Sequence, residues 1–199
     1  MFTRKRRVYL DHNATTPVSY EVQRTIRNVL KRVWGNPSSS GYYGKLASGV
    51  VEEARNSVAR ALSAPAHELY FTGCATESNN AVLKSLSAIF YPEKKKIVST
   101  PIEHPSVINT LEYLKSSGIE VEYCRVDRYG RVDLSDLSAC LDDQTFLVCC
   151  MLANNENGVI QNLKRISALA KEKGILVFSD CVQALGKIPV NVKELGLDY

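Results

Sequence analysis

"TFLVCCML", Thr145 to Leu152, is the most apolar run of the chain, and its reading decides the fold. A short, continuously apolar run bounded by polar residues suits a strand covered on both faces. Further β-prone runs lie on either side: "LYFTG" (Leu69 to Gly73), "KIVST" (Lys96 to Thr100), "EVEYCRV" (Glu120 to Val126) and "ILVFSD" (Ile175 to Asp180). Helical patterns alternate with them. "TESNNAVLKSLSAIF" places Ala81, Val82, Leu86 and Ile89 in an apolar stripe at helical spacing. "SVINTLEYLKSSG" closes on Gly118, "LSDLSACL" follows, and "NLKRISALAKEKG" closes on Gly174. Apolar strands separated by amphipathic helices define an α/β fold, a mostly parallel sheet with helices on both faces.

Composition sets the outer limits. The 199 residues suffice for one domain with a substantial core, and 45% hydrophobic with 23% charged residues describe a globular chain, not a disordered one. The net charge of +4 owes much to Arg4-Lys5-Arg6-Arg7, read as a solvated N-terminus and weak support for nucleic-acid binding. No stretch approaches the roughly 20 apolar residues that span a bilayer. Asp11, His12 and Asn13 interrupt any secretory h-region, so no nucleic-acid or membrane partner is expected. The cysteines (Cys74, Cys124, Cys140, Cys149, Cys150, Cys181) show no C-x-x-C spacing and lie mostly in apolar runs, which suits buried, reduced thiols of a cytoplasmic protein. The histidines, His12, His67 and His104, are far apart, and no metal site is expected.

Ligands of open α/β sheets collect outside the carboxyl ends of the strands. Four polar groups fall at such junctions: Thr72 to Thr76, Glu103-His104, Asn154 to Asn157, and Asp180 with Gln183. At "TGCATESNN", Gly73 permits a tight turn, and the open N–H groups of the next helix suit a phosphate, with Thr76 adding a hydroxyl or merely capping the helix. Neither a P-loop nor a dinucleotide fingerprint is present. His104, before Pro105, can stack on a flat ligand, move protons, or simply cap a helix. The amides of "ANNENG" suit either a ligand or an ordinary polar loop. Asp180 can serve a metal, a ribose, a basic substrate group or a protonated ring nitrogen; without a second nearby acid the metal reading is poor. Gln183 falls about one helical turn further on. Together these groups describe a flat, phosphorylated, basic heteroaromatic ligand such as pyridoxal phosphate, whose ring nitrogen a carboxylate keeps protonated.

The motifs resemble those of the cysteine desulfurases of the aminotransferase class V superfamily, in their housekeeping and nitrogen-fixation branch, almost end to end. "YLDHNATTPV", "GNPSSSGYYG", "FTGCATESNN", "IEHPSV", "DRYGRVDL", "ANNENGVIQ" and "SDCVQALGKIPV" occur in family order. The resemblance implies part of the large domain of fold type I pyridoxal-phosphate transferases, with residues 1–16 belonging to the small domain and 17–199 to an incomplete large domain. It implies roles residue by residue: Ala75 and Thr76 at the phosphate, His104 stacked on the ring and assisting proton transfer, Asn155 near ring and substrate carboxylate, Asp180 on the ring nitrogen, Gln183 on the phenolic oxygen. Members remove sulfur from L-cysteine through a protein thiolate, leaving alanine and an enzyme persulfide for iron–sulfur cluster or thionucleoside synthesis. They are homodimers that serve a scaffold or sulfur-acceptor protein.

The chain departs from the family pattern in two places. The phosphate loop reads Gly73-Cys74-Ala75-Thr76 where Ser-Gly-Ala-Thr is usual. After "ELGLDY" the family continues to a Ser-x-His-Lys segment carrying the lysine that binds the cofactor; neither it nor the persulfide cysteine is matched here, and Lys187 corresponds to a different lysine. The chain alone is therefore expected to be inactive and, with a gap in the middle of its sheet, poorly soluble or dependent on a partner chain. A non-catalytic fragment that binds a desulfurase or its scaffold, and another class V aminotransferase or lyase, are the alternative expectations.

Overall fold

A computed structural model describes residues 7–199, so Arg4, Lys5 and Arg6 of the basic cluster lie outside the described residues. The chain divides into two compact units, one ending at Val58 and the other running from Ala59 to Tyr199. The first unit carries α1 (Tyr20–Arg32) and most of α2 (Tyr42–Leu62). Ser19 caps α1 through its hydroxyl, which accepts from the Val22 N–H, and Lys31 and Arg32 face the negative end of its dipole. Trp34 stacks on Tyr43 with ring centroids 4.5 Å apart.

The second unit alternates helix and strand: α3 (Ala75–Phe90), β1 (Lys96–Ser99), α4 (Pro105–Ser116), β2 (Glu120–Tyr123), α5 (Leu134–Cys140), β3 (Thr145–Cys149), α6 (Leu163–Glu172), β4 (Leu176–Phe178) and α7 (Val192–Leu195). The strands form one parallel sheet in the order β2-β1-β3-β4. β3, the opening run of the sequence, is therefore an inner strand, and all five of its residues are buried. Successive side chains on a strand point to opposite faces. Accordingly Ile97, Leu147, Cys149 and Phe178 pack with Leu83, Leu86, Val107 and Leu111 of α3 and α4. Val98, Val148, Cys150 and Val177 pack with Leu137, Leu163 and Ile166 of α5 and α6. The helices cover both faces, as the alternation implies. Phe146 breaks the register, because Lys96 pairs with Thr145 while Ile97 pairs with Leu147; Phe146 is the extra residue, and its ring stacks on Phe90.

Two expectations are corrected. "LYFTG" does not join the sheet; it is extended coil, with Tyr70 83% and Phe71 54% exposed. A β-prone run becomes a strand only where a neighbour completes its ladder, and the four-stranded order places none beside this one. The apolar stripe of α3 is rotated as well. Asn79, Leu83, Leu86 and Ser87 face the core, whereas Ala81 and Ile89 are exposed. Two polar residues occupy the buried face because they are bonded there; the Ser87 hydroxyl donates to the Leu83 carbonyl at 2.7 Å.

The glycine stops appear as read, with Gly118 and Gly174 at φ +95° and +66° after α4 and α6. Beyond β4, Asp198 and Tyr199 line its outer edge: Ser179 N–H donates to the Tyr199 carbonyl at 3.1 Å, and Tyr199 N–H to the Val177 carbonyl at 3.2 Å. Lys96, at the start of β1, is buried between Glu122 (2.6 Å) and Asp142 (2.8 Å). Burial alone would lower its pKa, but the bonds to Asp142 and Glu122 outweigh that and raise it.

Leu147 is 0% exposed on the α3/α4 side of the sheet. Leu147→Ala is expected to cost about 2–5 kcal/mol, read as a lower urea midpoint at unchanged slope. A midpoint equal to the parent's would mean that this face is not closely packed.

Candidate functional site

The carboxyl ends of β1, β3 and β4 and the start of α3 bring most of the candidate residues to one end of the second unit. At α3, the N-cap is Cys74, with φ −168° and ψ 167°. That is ordinary extended backbone, so the cysteine found in place of the usual glycine is accommodated without strain. Its side chain makes no capping bond. Glu77 reaches back instead and accepts from the Gly73 N–H at 2.7 Å. The first intrahelical bond of this 16-residue helix runs from Ser78 N–H to the Cys74 carbonyl. The N–H groups of Ala75 and Thr76 therefore stand ahead of it, at the positive end of the helix dipole.

After β1 the chain turns through Thr100 to Glu103, and His104 caps α4. Its Nδ1 accepts from the Ser106 N–H at 3.1 Å and lies 2.7 Å from the Ser106 hydroxyl. Pro105 fills the first helical position, as its fixed φ favours. The His104 ring itself is exposed. After β3, the loop of consecutive amides is organised by Asn154, not by Asn155. Asn154 is 6% exposed; its oxygen accepts from the N–H groups of Glu156 (2.8 Å) and Asn157 (3.0 Å), and its NH2 donates to the Ile102 carbonyl at 2.9 Å. Asn155 next to it is half-buried and donates to Glu156.

β3 and β4 stay hydrogen-bonded past their named ends, with Leu152 N–H donating to the Asp180 carbonyl at 3.1 Å. The Asp180 side chain, 7% exposed, accepts from the Val182 N–H (3.0 Å) and from the Asn79 amide (2.9 Å). Among the described residues it has no ion-pair partner. Gln183 follows in a single helical turn, closed by Leu185 N–H to the Cys181 carbonyl, and its side-chain oxygen accepts from the Lys187 ammonium. A buried carboxylate served only by neutral donors is costly unless a cation completes it. A carboxylate in these surroundings fits the protonated ring nitrogen of pyridoxal phosphate. The open helix start fits the phosphate.

Sequence reasoning missed the residues that tie these groups together. The NH2 of Asn79 donates to both Asp180 Oδ2 and Ser106 Oγ, each at 2.9 Å. The available signal was a polar side chain in register with Leu83 and Leu86 on a buried helix face. Glu103, placed with His104 at a strand end by the sequence but given no role, is 6% exposed; it accepts from the Thr100 hydroxyl (2.6 Å) and the Met151 N–H (2.9 Å) on one oxygen, while Oε2 is buried without a hydrogen-bond partner. Burial first, and the charge of Asp180 in addition, raise its pKa to about 7, against the bonds from Thr100 and Met151. Among the cysteines, Cys124, Cys140, Cys149 and Cys150 are buried, and Cys74 is exposed. Burial raises the thiol pKa of all four buried ones.

Comparison with known proteins gives the family: the chain belongs to the aminotransferase class-V family, which matches residues 8–199. Within it, the chain is 42% identical to cysteine desulfurase IscS of Dictyoglomus turgidum over 194 residues, covering 98% of this chain and 49% of that protein. Cysteine desulfurase 2 of Trichormus variabilis is also 42% identical, over 96% of this chain and 48% of its own length. Among solved structures, a NifS-like protein superposes with a TM-score of 0.95 at 41% identity, over 97% of this chain and 53% of its own. SspA in complex with cysteine gives 0.92 at 30% identity, over 96% and 55%. The chain spans about half the length of the curated relatives it matches. Proteins of this family and these desulfurases depend on pyridoxal phosphate.

Glu103 leads to a pH test. Its folded pKa is raised from 4.5 to about 7, so the unfolded chain releases the proton first. The stability linked to this proton is complete below the unfolded value and is lost as pH rises through about 7, a change of about 3 kcal/mol. Glu103→Gln removes the titration, and the decline in urea midpoint between about pH 5 and pH 8 should flatten. An unchanged decline in the variant would assign it to other groups.

Proposed function

We propose that this chain provides the cofactor-tuning part of a pyridoxal-phosphate site that serves cysteine desulfuration. The reaction is removal of sulfur from L-cysteine to give alanine and a protein-bound persulfide. The observation that carries the reading is Asp180, a buried carboxylate at a strand end with neutral donors and no cationic partner among the described residues. Support comes from the desulfurase relatives and from SspA, whose structure was solved with cysteine. When bound, pyridoxal phosphate supplies an electron sink at its ring.

The chain's own residues divide the work around that group. Asp180 accepts from the ring nitrogen and keeps its proton there. The N–H groups of Ala75 and Thr76, with the Thr76 hydroxyl, hold the phosphate at the α3 start. His104 stacks on the ring from its exposed cap position and moves protons. Asn155 and Gln183 offer amide donors to the ring and substrate. On the same reading residues 1–16 go with a small domain and 17–199 with the large one. The assembly is a cytoplasmic homodimer serving an iron–sulfur scaffold or other sulfur acceptor.

Titration with pyridoxal phosphate, followed by its visible absorption, tests the reading. The chain is expected to bind it, and Asp180→Ala to weaken binding about tenfold or more, the worth of one charge-assisted hydrogen bond. Equal binding by parent and Asp180→Ala, or no binding by the parent, would overturn the assignment.

A further inference from the structure

A continuous line of hydrogen bonds runs from the carboxylate on β4 to the imidazole on α4. Asp180 is an acceptor only, so the Asn79 group facing it at 2.9 Å is the NH2. The second hydrogen of that NH2 points to Ser106 Oγ, also at 2.9 Å, making the serine oxygen an acceptor there. The single hydroxyl hydrogen of Ser106 is thereby directed to its other neighbour, His104 Nδ1, at 2.7 Å. The backbone N–H of Ser106 can only donate, and it donates to the same Nδ1 at 3.1 Å. Nδ1 is therefore a bare acceptor that receives two donors, and the proton of the neutral ring sits on Nε2. Asn79 and Ser106 are 4% and 9% exposed, so the Asn79 bonds to Ser106 and Asp180 are shielded from water.

We propose that Ser106 and Asn79 are positioning residues that hold His104 in its Nε2–H form and lock the ring to the Asp180 carboxylate. The use of this arrangement rests on the cofactor reading above; its existence does not. The outward nitrogen of the neutral ring is then a donor, so His104 meets a ligand as a giver of a hydrogen bond or proton. The segments that carry the two groups are joined through the Asn79 amide on α3.

Long-range 1H–15N correlation spectra of the uniformly 15N-labelled chain test this, recorded at about pH 8 so that imidazoles are neutral. His104→Gln identifies the His104 signals among the three histidines. The expected result is a bare, pyridine-like Nδ1 and a protonated Nε2 for His104. In Ser106→Ala the population of the Nδ1–H form should rise about fivefold, the equivalent of one ordinary hydrogen bond. Asn79→Leu should shift it in the same direction, and Ser106→Thr, which restores the hydroxyl, should return it to the parent value. A parent His104 in the Nδ1–H form, or in the same mixture as the exposed His67, would overturn the proposal even if no variant folds. Unchanged His104 shifts in a folded Ser106→Ala would do the same. Pyridoxal phosphate titrated into the same parent sample separates the two questions: absence of binding refutes the cofactor reading, while the tautomer result stands or falls by itself.

Discussion

The Asn79 side-chain amide joins three segments that the chain visits far apart: α3, the start of α4 and the end of β4. Its two hydrogens go to Ser106 and to Asp180. Removing an internal donor from a buried carboxylate leaves a charge with less compensation, so this amide is a condition for Asp180 to be where it is. The carboxylate in turn carries the functional reading. It is buried, held by neutral donors, and lacks a cation among the described residues.

Hydrogen bonding, not burial, distinguishes the two neighbouring carboxyl groups, which are 6% and 7% exposed. Glu103 has one oxygen satisfied by Thr100 and Met151 and the other in no hydrogen bond, and its pKa is raised to about 7. Its position ties the end of β1 to the end of β3, so the loops bearing His104 and Asn155 are braced by a group inclined to keep its proton. Asp180, by contrast, accepts from both Val182 N–H and Asn79. Two buried acids at this end of the sheet thus have different hydrogen-bond surroundings.

Much of this was legible in the sequence. The continuous apolar run at Thr145 announces a strand covered on both faces, and polar residues after such strands mark the ligand end of the sheet. Asp180 and His104 stand out as candidates that way. Asn79 and Ser106 do not, because their meaning lies in contacts across 101 and 27 residues of separation. The stripe on α3 was read from apolar spacing, which favoured Ala81 and Ile89; the actual face includes Asn79 and Ser87, polar groups made tolerable by bonds that no periodicity reveals. "LYFTG" shows the converse failure. Its composition suits a strand, but a strand is a property of pairs, and no neighbour in the four-stranded order completes it.

The account turns on whether the Asp180 carboxylate receives a cationic ring nitrogen. Pyridoxal phosphate labelled with 15N in its ring, bound to the chain at neutral pH, reports this directly in its nitrogen chemical shift. The account predicts a protonated pyridinium in the parent and loss of that protonated signal in Asp180→Asn. A bound cofactor with an unprotonated ring nitrogen in the parent would contradict it.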